Sequence, residues 1–139
     1  MPVARVLGVD LGSRRIGLAI ADAGIGIARP LATVGRGGAV ADDAEAIGRV
    51  CREQGVVELV VGLPVTLRDE RLSSYEAERR LGRMPRGRSG GPPSRTQRNA
   101  FRARIDREAA AIILQDELDA RLAARTPAVG AAGGAEDGR

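Results

Sequence analysis

The 139-residue chain has no histidine, no tryptophan and no lysine, one cysteine, one tyrosine and one phenylalanine. Each shortage closes a class of function. With no histidine and only Cys51, the usual zinc sites and any internal disulfide are excluded. A bound metal must therefore rest on oxygen ligands. Cys51 has no histidine to activate it, and it recurs with Ala44, Ile47 and Val50 at helical spacing, which reads as a small core residue. Aromatic side chains make up 1% of the chain, too few for platforms on which successive bases stack. No apolar run approaches the ~18 residues that span a bilayer. The opening MPVARVLGVD also lacks the charged, apolar, small-residue order of a secretory leader. The expectation is a cytoplasmic protein that does not enter membranes; oligomeric state is not readable.

What is present is arginine. All 22 basic residues are Arg, the formal net charge is +4, and eight of them lie between Arg83 and Arg107. Guanidinium groups suit bidentate phosphate contacts, so a polyanionic partner is expected. At 43% hydrophobic residues the chain can bury one core, built from Val, Ile, Leu and Ala. Residues 1–122 are expected to form one domain with a mobile Arg/Gly/Pro-rich loop over 82–98. Residues 123–139 are expected to be a disordered tail.

Val3–Val9 reads as a strand that stops at the turn-forming Asp10-Leu11-Gly12-Ser13, and Ile16–Ala21 resumes as its hairpin partner. Ile27–Val34 gives a third antiparallel strand, with Pro30 marking an edge or a bulge. Helical spacing follows over Ala41–Gln54, ended by Gly55. The run Val56–Val61 then has the continuous apolar character of a buried parallel strand. Val65–Leu67 looks like one further strand, and Ser73 with Glu76 fits a capping box that opens a helix to about Arg83. A long helix is expected from about Asn99, with Asp106 near its start, favoured there by the helix dipole. These elements together predict an α/β domain.

Asp10, the pair Asp69/Glu70 and Asp106 stand at the edges of these elements. Carboxylates so placed can converge above a sheet and hold two hard cations ~4 Å apart, the arrangement that stabilises both oxygens exchanged in phosphodiester hydrolysis. Asp10 can equally cap the DLGS turn. Four stretches carry a further signal: GVDLGSRRIGLAIAD (Gly8–Asp22), VELVVGLP (Val57–Pro64), DERLSSYEAERRL (Asp69–Leu81) and DREAAAIILQDEL (Asp106–Leu118).

In this order, they resemble the YqgF/RuvX family, the RuvC-like nucleases of pre-16S ribosomal RNA. The resemblance implies a ribonuclease-H-like three-layer domain with a mixed sheet. It also implies Asp10, Glu70 and Asp106 as catalytic and metal-binding acids, with Mg²⁺ or Mn²⁺, two ions, as cofactor. Nucleic acid is the implied partner, either pre-16S rRNA or branched DNA such as a Holliday junction. Arg14, Arg15, Arg71 and Arg102 are the candidate phosphate contacts. Family members place a helix-containing stretch between the GLP motif and the strand leading into DER, whereas here VVGLP runs directly into VTLRDERL. Parallel neighbours need a crossover of about a dozen residues or more, so the fold is expected to lack one helix-containing crossover.

Three functions follow. The first is a metal-dependent nuclease in 5′-end processing of pre-16S rRNA, or a branched-DNA resolvase. The second is a nucleic-acid-binding or ribosome-assembly module impaired in catalysis by the shortened scaffold. The third starts from VDLGS, which also resembles the phosphate-binding opening of the actin and sugar-kinase ATPases. Those enzymes need a second such domain, and one short chain does not supply it.

Overall fold

The computed structural model describes residues 3–62 and 76–126. The expected Val65–Leu67 strand, the Ser73 cap, Glu70, Arg71 and nearly all of the tail lie outside them. β1 (Arg5–Leu11), β2 (Arg15–Asp22), β3 (Ala28–Gly35), α1 (Val40–Gln54) and β4 (Val56–Gly62) come first. A helical stretch over 76–81, called α2, comes next. The last helix, α3, spans Arg95–Arg125.

Among the described residues the sheet has four strands in the order β3-β2-β1-β4. β1 and β2 pair antiparallel, as do β2 and β3, while β4 joins β1 in parallel. The sheet is therefore mixed, as expected. Pro30 lies on edge strand β3, opposite a register shift between Leu18 and Ala19, where its missing N–H costs no ladder bond. Gly55, at φ 65°, closes α1 in the left-handed region.

Side chains alternate across the pleat, and β1 and β2 separate by size. Leu7, Val9, Ile16 and Leu18 form one core cluster, against which Ile47, Val50 and Cys51 of α1 pack. The opposite face carries the small residues Gly8, Gly17, Ala19 and Ala21, and there Val6, Ala19 and Ala21 cluster with Ala110, Ala111 and Leu114 of α3. Large residues thus hold α1 off the sheet, while small ones let α3 lie close upon it. The result is three layers, helix on sheet on helix.

Three expectations need correction. β4 is parallel to β1, but it is not buried on both faces: Val57, Leu59 and Val61 are 71%, 47% and 41% exposed. α1 packs over Leu7, Val9, Ile16 and Leu18 of β1 and β2, and β4 contributes Val56 to that cluster. α3 begins at Arg95, where Ser94 forms a reciprocal capping box with Gln97, rather than at Asn99. Asp106 consequently sits about three turns inside the helix, where the N-terminal dipole no longer explains it. Residues 82–94 form no regular element; Gly87 N donates to Gly91 O at 3.1 Å within them.

A candidate carboxylate site at the end of beta 1

Asp10 lies one residue from the end of β1, paired with Gly17 on β2 and level with Gly62, the last residue of β4. By the alternation of β1 it belongs with Val6 and Gly8 on the α3 face of the sheet. α3 reaches that end of the sheet with Asp106. A Cβ added to Gly17 would stand 1.9 Å from the Asp106 carbonyl oxygen, and one added to Gly8 would stand 2.7 Å from Leu114 Cβ. Helix backbone therefore rests almost directly on strand backbone beside Asp10. Asp10 and Asp106 share one face and one end of the sheet.

Polar contacts fix the helix along this path. Near the site, Thr33 Oγ1 donates to the Ala103 carbonyl at 2.6 Å. At the far end, Ala28 N donates to Gln115 Oε1 at 2.8 Å, and Arg121 pairs with Glu58 of β4 and with Glu117. The hydrogen bond from Arg121 holds the Glu58 carboxyl below its usual range. α3 thus runs down the sheet from the Asp10 end, flanked by ties to both edges.

Arg15, the first residue of β2, donates through Nε to Asp106 Oδ2. Both side chains are partly exposed. The guanidinium keeps a positive charge beside this carboxylate, so Arg15 is committed to the site rather than projecting freely from the turn. Arg14 is exposed on that turn, and Arg102 is exposed on α3 one turn before Asp106.

The turn that follows Asp10 is itself held. Arg36 NH1 donates to the Gly12 carbonyl at 3.1 Å, and Arg36 Nε to Asp43 Oδ2 at 3.0 Å. The Gly37 amide donates to Asp43 Oδ1 at 3.0 Å. Asp43, on the first turn of α1, is the buried charged residue among the described positions, at 6% exposure. Its carboxyl is held below the ordinary carboxylate range, first by the Gly37 amide and then by Arg36. Arg36 and Asp43 were not singled out from the sequence. An Arg-Gly-Gly linker followed by Ala-Asp-Asp was the available signal, but it reads equally as a solvated connection.

The donor set suits a hard cation. The carboxylates of Asp10 and Asp106 stand at this end of the sheet, and Cys51, the chain's one thiol, packs on the opposite face. Among the described residues no three metal-binding side chains cluster. Glu70 lies outside them. Because β4 ends level with Asp10, the eight residues from Gly62 to Asp69 span at most ~27 Å, which leaves Glu70 within reach.

An α/β domain with a mixed sheet, a carboxylate at the end of its first strand and a second on the covering helix is consistent with the ribonuclease-H-like fold. A model of the RuvX family, described as Holliday junction resolvase, matches residues 4–68. A protein of Anaeromyxobacter dehalogenans (strain 2CP-C) named "Putative pre-16S rRNA nuclease" is 42% identical over 145 residues, covering 84% of this chain and 98% of its own. Proteins of the same name from Chloroflexus aurantiacus (strain ATCC 29366 / DSM 635 / J-10-fl) and Opitutus terrae are each 36% identical, over 87% and 93% of their lengths. The chain belongs to the RuvX (YqgF) family. The match to the first relative extends over 145 positions, more than the 139 residues of the chain, so that relative carries residues with no counterpart here.

Proposed function

We propose that the protein is a metal-dependent nuclease that hydrolyses phosphodiester bonds in 5′-end processing of pre-16S rRNA, with Asp10, Glu70 and Asp106 as its metal-binding acids. The observation that carries this reading is the placement of Asp10 and Asp106 on one face at one end of the sheet. The names of the relatives supply the substrate.

Asp10 and Asp106 reach the site from separate elements, a strand end and a helix interior, whose relative position is set by backbone packing at Gly17. Mg²⁺ or Mn²⁺, two ions, would be held by these carboxylates with Glu70, supplying charge stabilisation for the attacking and leaving oxygens. Arg15 orients Asp106 through its hydrogen bond to Oδ2. Arg14, Arg71 and Arg102 are assigned to the phosphates on either side of the scissile bond, where they fix register without reading sequence.

The test is cleavage of a pre-16S rRNA 5′ leader beside a four-way DNA junction, with Mg²⁺, by wild type and Asp10→Asn. Loss of one carboxylate ligand is expected to slow cleavage by about 100-fold or more, several kcal/mol of transition-state stabilisation. Isothermal calorimetry should show weakened Mg²⁺ binding in the same variant. Undiminished cleavage by Asp10→Asn would sink the assignment. Junction cleavage without leader cleavage moves the activity to branched DNA. Salt-dependent RNA binding with no cleavage favours an assembly module, the reading supported by the residues that the first relative has and this chain lacks.

A further inference from the structure

A cavity of about 580 Å³ opens between α2, the segment after it, and the first third of α3, within the ~300–1,000 Å³ range of sites that enclose small organic groups. Its rim carries Arg79 on α2, Arg83 just beyond it and Arg102 on α3, with Glu78 as the one acid. All three arginines are exposed. None takes part in an ion pair among the described residues, whereas neighbouring Arg80 is engaged by Glu76 and Glu108. The interior is apolar: Met84, Ile105 and Phe101, the chain's single phenylalanine, line it. Phe101 is itself 6% exposed, so it walls the cavity rather than offering a stacking platform.

Position gives this cavity its meaning. Arg102 precedes Asp106 by four residues, about 6 Å along the helix, and Ile105 is its direct neighbour. We propose that the cavity holds one unpaired nucleotide of the strand being cut, with its phosphate on the three arginines and its base and sugar against Met84, Ile105 and Phe101. The identity of the strand rests on the nuclease reading; the pocket itself does not. Unpaired guanidinium groups offer charge-assisted, bidentate bonds to phosphate, and an apolar interior accepts a base only after it has left a helix. The enzyme accordingly favours a single-stranded position beside the scissile bond over continuous duplex.

Binding of a 5′-labelled hexauridylate, followed by fluorescence anisotropy in EDTA so that no strand is cut, tests this. The triple variant Arg79→Gln, Arg83→Gln, Arg102→Gln is compared with an equally charged control, Arg29→Gln, Arg49→Gln, Arg52→Gln, and with Arg102→Gln alone should the triple fail to fold. The pocket triple is expected to weaken binding about tenfold or more and to lower the salt slope by about two. The control should change affinity less than about threefold. Equal losses in both triples overturn the proposal, because charge alone then explains binding. An abasic hexamer bound as tightly as hexauridylate overturns the place of the base. UMP displacing the hexamer at equal concentration assigns the cavity to free nucleotides and likewise overturns it. Failure here with Asp10-dependent cleavage intact removes the pocket alone, and intact pocket binding without Asp10 dependence removes the nuclease site alone.

Discussion

Asp43 illustrates how a single side chain supports a site it does not touch. Its two carboxylate oxygens accept from the Gly37 amide and from Arg36, whose other nitrogen holds the turn after Asp10. Because the folded-state pKa is lowered, this stabilisation is complete above the unfolded value of ~3.9 and fades as pH falls through the lower folded value. Asp43→Asn is therefore expected to lower thermal stability at neutral pH and to flatten the acid limb of a Tm-against-pH curve. Asp116 behaves oppositely. Exposed on the helix surface, it is partly desolvated by its surroundings, and this first, then Glu76 and Asp119, raise its pKa, so the folded state disfavours its charge. Asp116→Asn should raise Tm slightly at pH 7, with the gain vanishing below about pH 4. Neither residue announces itself in the sequence. An aspartate on a helix is ordinarily a solvated one, and only the neighbours brought by folding give these two their shifts.

At the scale of elements, the approach of α3 to β2 decides whether the two acids meet. Gly17 has no room for a methyl group against the Asp106 backbone, so Gly17→Ala must push the helix outward. Overpacking of this kind costs about 1–3 kcal/mol, and the displacement carries Asp106 with it. Scanning calorimetry should show the lower Tm, and cleavage should fall by more than the loss of folded protein accounts for. Gly24→Ala, where a Cβ would meet nothing within 4 Å, is the neutral comparison. The hairpin, the third strand, α1 and the parallel direction of β4 were legible from alternation, turn residues and helical spacing. The start of α3 was not, because Arg95–Arg98 is polar on every side and its Ser94-Gln97 capping box lies inside a Gly/Pro/Arg-rich segment. The place of Asp106 inside the helix is hidden in the sequence for the same reason.

At the scale of the molecule, layering leaves an apolar strip of β4 open among the described residues. Val57, Leu59 and Val61 stand exposed along β4. Contiguous exposed strand residues of this type promote association. Replacing Leu59 and Val61 with Thr should leave stability within about 0.5 kcal/mol and reduce light scattering in concentrated solution. None of the described helices is long and apolar enough to cross a membrane. By itself the sequence determined the strand pair that carries Asp10, the oxygen-only ligand set, the arginine-rich charge and, through its four motif stretches, the family. These are properties of local pattern and composition, which need no knowledge of distant contacts. The tertiary structure alone decided that Asp106 meets the Asp10 end of the sheet and that Arg15 and Arg36 are engaged. It alone revealed the Arg79, Arg83 and Arg102 cavity. Each depends on residues far apart in the chain, brought together because small side chains on one face of β1 and β2 let a long helix lie against the sheet.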